Sequence, residues 1–109
     1  MANAFKNRTL RQVGTSPVDV GAVVASSTET TLIGMTLANV TSGVINITVQ
    51  LINGSDTTHI VKDAPIPTGG SLVAVGGDQK IVLMTSDKIT VTSNTASSCD
   101  VIMSFLEIT

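Results

Sequence analysis

Residues 43–52, GVINITVQLI, alternate without a break: Ile45, Ile47, Val49 and Leu51 fall on one parity, Asn46, Thr48 and Gln50 on the other. A period of two sends successive side chains to opposite faces of an extended chain, which is the pattern of a half-buried strand. Its β-branched residues would also lose rotamer freedom against a helical turn. Residues 87–93, DKITVTS, repeat the pattern, with Ile89 and Val91 inward and Lys88, Thr90 and Thr92 outward.

Further runs are apolar on both parities: TLIGMTLANV (31–40), HIVK (59–62), SLVAV (71–75), KIVLM (80–84) and DVIMSFLEI (100–108). Such runs predict strands covered on each side, by a second sheet or by a neighbouring subunit. SPVDVGAVVA (16–25) is a weaker candidate, because Pro17 confines it to a strand start or an edge. Turn residues separate the runs at Thr41–Gly43, Asn53–Asp56, Pro65–Gly70, Gly76–Asp78, Ser86–Asp87 and Ser93–Ser98. No segment carries helical apolar spacing together with caps. The expectation is an all-β fold, an antiparallel sandwich of jelly-roll or immunoglobulin-like type with about seven or eight strands. The link DAPIPTGG (63–70) is expected to cross an end of the sandwich from one sheet to the other, since proline cannot donate to a ladder.

The 109 residues suffice for one core, and a domain of this size buries roughly 60–70% of its unfolded surface. Charged residues are only 13% against 42% hydrophobic, the reverse of a disordered composition. Low charge leaves little self-repulsion to oppose association. The charge is also uneven. Lys6, Arg8 and Arg11 precede every acid, whereas residues 12–109 hold three bases (Lys62, Lys80, Lys88) against eight acids, a balance of −5. Residues 1–12 therefore read as a basic N-terminal arm extending from a β-domain over 13–109. The opening MANAFKNRTLRQ lacks the apolar core of a signal peptide and nothing approaches a membrane span, so a chain made in a cytoplasm with no membrane partner is expected.

Gly76, Gly77 and Asp78, in VAVGGDQKIVL (73–83), have the composition of a phosphate cradle, but such a cradle needs a helix after its glycines. Here Ile81-Val82-Leu83 follows, so these residues are assigned to a structural turn in which glycine supplies a positive φ. His59 is the single histidine and Cys99 the single cysteine, which excludes an internal disulfide and leaves little for a catalytic triad. Asp56, Asp63, Asp78, Asp87 and Asp100 each sit at or beside a turn, where Asp bonds nearby backbone; gathered at one end they would form a cation site, although no calcium-loop motif is present. The triplets at Asn7, Asn39, Asn46 and Asn53 match glycosylation acceptors but suit a Thr- and Asn-rich strand protein equally. With no Trp or Tyr, and Phe5 and Phe105 alone as aromatics, stacking platforms for sugars or single-stranded nucleic acid are missing. No cofactor, metal or nucleic-acid partner is expected.

The C-terminal half, residues 61–109, resembles a family of small virion structural proteins of tailed bacteriophages from marine and cyanobacterial hosts. APIPTGGSLV, VGGDQKIVL, SDKITVTS and the terminal DVIMSFLEI carry the resemblance, and MANAFKN fits it. It implies a structural, non-enzymatic role in a virion. Within that role a capsid decoration or cement protein is preferred, binding the major capsid protein and itself, as a homotrimer. Phe5, Lys6, Arg8 and Arg11 are the expected docking residues, an apolar anchor with cations around it. The alternatives are a small tail, neck or fibre-associated component, or a module presenting loops to a glycan or cation.

Overall fold

The computed structural model describes residues 3–21, 23–76 and 80–109. Among them the strands are β1 (Asn3–Val13), β2 (Val18–Asp19), β3 (Glu29–Asn39), β4 (Ile45–Asn53), β5 (Asp56–Ile66), β6 (Ser71–Val75), β7 (Ile81–Leu83), β8 (Lys88–Ser93) and β9 (Cys99–Ile108). All ladders are antiparallel and fall into two sheets. One runs β1-β9-β3-β6, with β7 also on β3; the other runs β2-β8-β4-β5. This is the sandwich expected from the alternation, and none of the described residues is helical.

Inward parities meet in one core. Ile45, Ile47, Val49, Ile89 and Val91 come from the four-stranded sheet, and Leu32, Leu37, Val75, Val101 and Phe105 from the five-stranded one, all buried. In β3 the parity changes once. The register shifts between Leu32 and Gly34, so Ile33 is an extra residue and both Leu32 and Met35 point inward. Such a bulge lets an apolar run serve a sheet that is covered on one side only.

The basic segment does not stand away from the sandwich. Asn3–Val13 is an edge strand, paired with β9 without a break from Asn3↔Ile108 to Leu10↔Val101. Its own alternation, Ala4, Lys6, Arg8 and Leu10 against Phe5, Asn7 and Thr9, suits a strand, but cations on the inward parity disguise it. They are tolerated because an edge strand is incompletely covered and long cationic side chains reach water past its rim.

Three local features set the connections, the second and third of them between the sheets. β4 and β5 form a hairpin around Gly54-Ser55, with Gly54 at φ 60, as a glycine-first two-residue loop requires. The 63–70 link is shorter than the sequence suggests. β5 continues through Pro65 to Ile66 as a sheet edge, and Pro67–Gly70 makes the crossing to β6. There Gly70 N donates to Pro67 O at 2.9 Å and Gly69 takes φ 71, a type II pattern. Asn39, at the end of β3, donates to Gly43 O at 2.7 Å and to Ile66 O at 2.9 Å, and accepts from Thr41 N and Oγ1, each at 2.8 Å. A residue that read as a glycosylation triplet is thus buried and bridges the two sheets.

Candidate interaction surface

The four expected docking residues divide between the two sides of β1. Lys6 and Arg8 face inward parity, opposite Phe105 and Met103. Lys6 Nζ pairs with Glu107 Oε1 at 2.9 Å, both partly exposed, which contributes little to stability in water. The Arg8 guanidinium lies 5.3 Å from the centroid of the Phe105 ring, and its stem packs over the backbone of Gly21, where a Cβ would sit 2.6 Å from Nε. Gly21 has φ 78, so the close approach and the left-handed backbone both require glycine. Arg8 therefore fills the gap between β1 and the loop beside β8, where Val20 N donates to Ile89 O at 2.8 Å.

Arg11 is exposed and lines, with Gln12, Val40 and Asp100, an open depression of about 750 Å³. β1 is irregular there. Gln12 has φ 56, its N–H donates to Asp100 Oδ1 at 2.9 Å, and the register shifts between Leu10 and Val13.

Phe5 lies on the outer face and is 79% exposed. Register places it in a row across the sheet, Phe5–Leu106–Thr31–Val82, parallel to a second row, Thr9–Ile102–Thr36–Val73. Between them runs Asn7–Ser104–Gly34. Val73 (63%), Val82 (60%) and Ile102 (56%) are exposed like Phe5. None of these residues is charged; among the described strand residues of this face charge appears towards the two ends, at Glu29 and at Arg11 and Asp100. A shallow hollow of about 250 Å³, lined by Phe5, Asn7, Ile33 and Ser104, interrupts the relief. The sequence reading singled out Phe5 alone. The signal for the rest is the outward parity of strands apolar on both sides, visible only once the inward parity is known.

The remaining candidate residues do not assemble a reactive site. His59 is exposed on β5, its ring nitrogen 3.1 Å from the Gln50 amide, whereas Cys99 is buried in the other sheet. Burial, with the Asp100 carboxylate second, pushes the Cys99 thiol up to about 11. Asp87 is buried and structural, accepting from Asn53 Nδ2 at 2.7 Å and from Met84 N at 2.9 Å. Among the described residues no three His, Cys, Asp or Glu side chains converge as metal ligands. No helix among the described residues is long and apolar enough to cross a membrane. Gly76 forms a bridge outside the left-handed region; a Cβ there would meet Val73 Cγ1 at 3.0 Å. Gly77 and Asp78 lie outside the described residues. Ile81–Leu83, which follows, is a strand on β3, where a phosphate cradle would need a helix.

No protein-family model and no curated protein matches the sequence. Among solved structures, a subunit from work on Bacillus endospore appendages, described as a novel family of disulfide-linked pili, superposes with TM-score 0.59 at 12% identity, covering 98% of this chain and 88% of that one. The likeness is one of fold, and it spans nearly all of both chains. A capsid structure of infectious bursal disease virus, Gx strain, reaches TM-score 0.49 at 13% identity over 97% of this chain and 31% of that one. A pentameric capsid protein from metagenomic phage sequences reaches 0.41 at 13% identity over 92% and 59%.

Proposed function

We propose that this chain is a non-enzymatic structural protein of a virion, a capsid decoration protein that lies on a shell of major capsid protein through the outer face of its five-stranded sheet. The observation that carries the mode of action is that face: uncharged along its middle rows, with exposed Phe5, Ile102, Val73 and Val82. Depletion of charge with an aromatic anchor is how the centre of an interface differs from ordinary surface. The virion setting is supported by the resemblance of residues 61–109 to phage structural proteins. In this reading Phe5 is the anchor and Arg11 a rim cation, while Lys6 pairs with Glu107 and Arg8 packs β1 onto the fold.

Addition of purified protein to shells stripped of it tests the reading. Wild type should restore full occupancy, counted by quantitative mass spectrometry. Ile102→Lys and Val73→Lys, which place a charge within an uncharged row of the face, should each reduce occupancy at least about tenfold with unchanged melting. Full occupancy by both variants would overturn it.

A fibre-like role is favoured by one observation, the fold shared with the pilus subunit. The linkage named for those pili does not carry over, because Cys99 is the single cysteine and is buried.

A further inference from the structure

Two sheets present four edges, and three are blunted against strand addition. β2 is only Val18–Asp19. β5 is interrupted by register shifts around Thr48, by Asp63 at φ 50 and by Pro65. The edge beyond β3 is divided between the short strands β6 and β7, with a shift between Met35 and Thr36. β1 differs: Asn3–Leu10 is one regular stretch, and among the described residues it pairs only with β9. A long unblunted edge is a template for another strand.

We propose that the occupant is a second copy of this chain, the two β1 strands pairing antiparallel about a two-fold axis at Phe5 so that their five-stranded sheets run on as one. A centre at Asn3 or Ala4 would pair no described residues beyond Asn3–Phe5, and charge selects among the other registers. With Asn7 on the axis, Lys6 would face Arg8 of the other copy; with Lys6 or Arg8 on the axis, each cation would face itself, which is destabilising. Registers centred beyond Arg8 run into the bulge after Leu10 and Gln12 at φ 56. With Phe5 on the axis, Lys6 faces Ala4, Asn7 faces Asn3, and the two exposed rings meet.

Surface area gives the pairing its purpose, and this part rests on the decoration reading. Four strands about 4.8 Å apart and three rows about 6.7 Å apart make roughly 400 Å² of docking face per copy. That is about half the ~800 Å² each partner contributes to a standard interface. A two-fold axis perpendicular to the sheet keeps both outer faces on the same side, so the pair presents the full area to one shell.

Single cysteine substitutions along β1 test the register, with buried Cys99 unable to compete. In the folded full-length protein, under oxidised glutathione, Phe5→Cys should form interchain disulfides, because directly opposed Cβ atoms lie about 4.5–5.5 Å apart. Asn7→Cys should react at least about tenfold more slowly, since its copies would lie about 13 Å apart along the strands, and Thr9→Cys more slowly still. Wild type should sediment as a concentration-dependent dimer. Fastest crosslinking at Asn7 or Thr9, or wild type sedimenting as a monomer throughout or as a trimer, would overturn the proposal. Ile102→Lys and Val73→Lys should retain the Phe5→Cys crosslink while losing shell binding. Wild type that binds shells while sedimenting as a monomer removes this pairing and leaves the decoration reading standing.

Discussion

Gly21→Ala measures how Arg8 is used. Gly21 combines φ 78 with an Arg8 Nε only 2.6 Å from where a Cβ would stand. The left-handed backbone costs an L-residue about 1–2 kcal/mol. Arg8 must also move, losing its position 5.3 Å from the Phe105 centroid, a cation–π contact worth about 0.5–1 kcal/mol. The expected loss is about 1.5–3 kcal/mol, or a fall in Tm of about 6–18 °C at roughly 4–6 °C per kcal/mol. Thermal unfolding of wild type, Gly21→Ala, Arg8→Ala and the double variant separates the two parts. With Arg8 already removed, Gly21→Ala should cost only the backbone share, leaving a coupling of about 0.5–1 kcal/mol. Additive single effects would refute the contact, and an unchanged Tm for Gly21→Ala would refute the backbone part as well. Arg8→Ala should lower Tm yet leave shell binding intact, because the cation serves the fold.

Asn39→Ala should destabilise by about 2–4 kcal/mol in chemical denaturation, since it strands the buried Ile66 carbonyl and unpins the 41–43 turn. Ile47→Ala, fully buried in β4, should cost about 2–4 kcal/mol by the same assay, with an unchanged m-value. Cys99 predicts a pH dependence. Its thiol is raised from 9.0 to about 11 in the fold, so the unfolded chain ionises first as pH rises. The stability it contributes is complete below pH 9 and is lost between pH 9 and about 11. Melting temperatures across that range should fall more steeply for wild type than for Cys99→Ala, and equal slopes would refute the assignment.

The sequence by itself determined that the chain from β3 onward is built of strands separated by turns. Alternation at 43–52 and 87–93 named the inward residues Ile45, Ile47, Val49, Ile89 and Val91, all of them buried. These signals are local: a period of two and a glycine or proline in a turn act over a few residues. The same reading shortened β5, expecting 63–70 to be irregular, because Pro65 is excluded from a central strand and only the fold shows that β5 is an edge.

Tertiary structure alone decided the rest, since strand pairing joins residues remote in the chain. Lys6 meets Glu107 across 101 positions, and Asn39 reaches Ile66 across 27. Nothing in NAFKNRTLRQV reveals that β9 lies beside it, so its cations read as a free arm. Paired, the inward cations serve the fold and Phe5 is left outside. The candidate surface arises in the same way: Phe5, Leu106, Thr31 and Val82 come from four separate strands and become a row only through register. Each strand's pattern states which residues share a face, and only the pairing of the strands states which faces are joined.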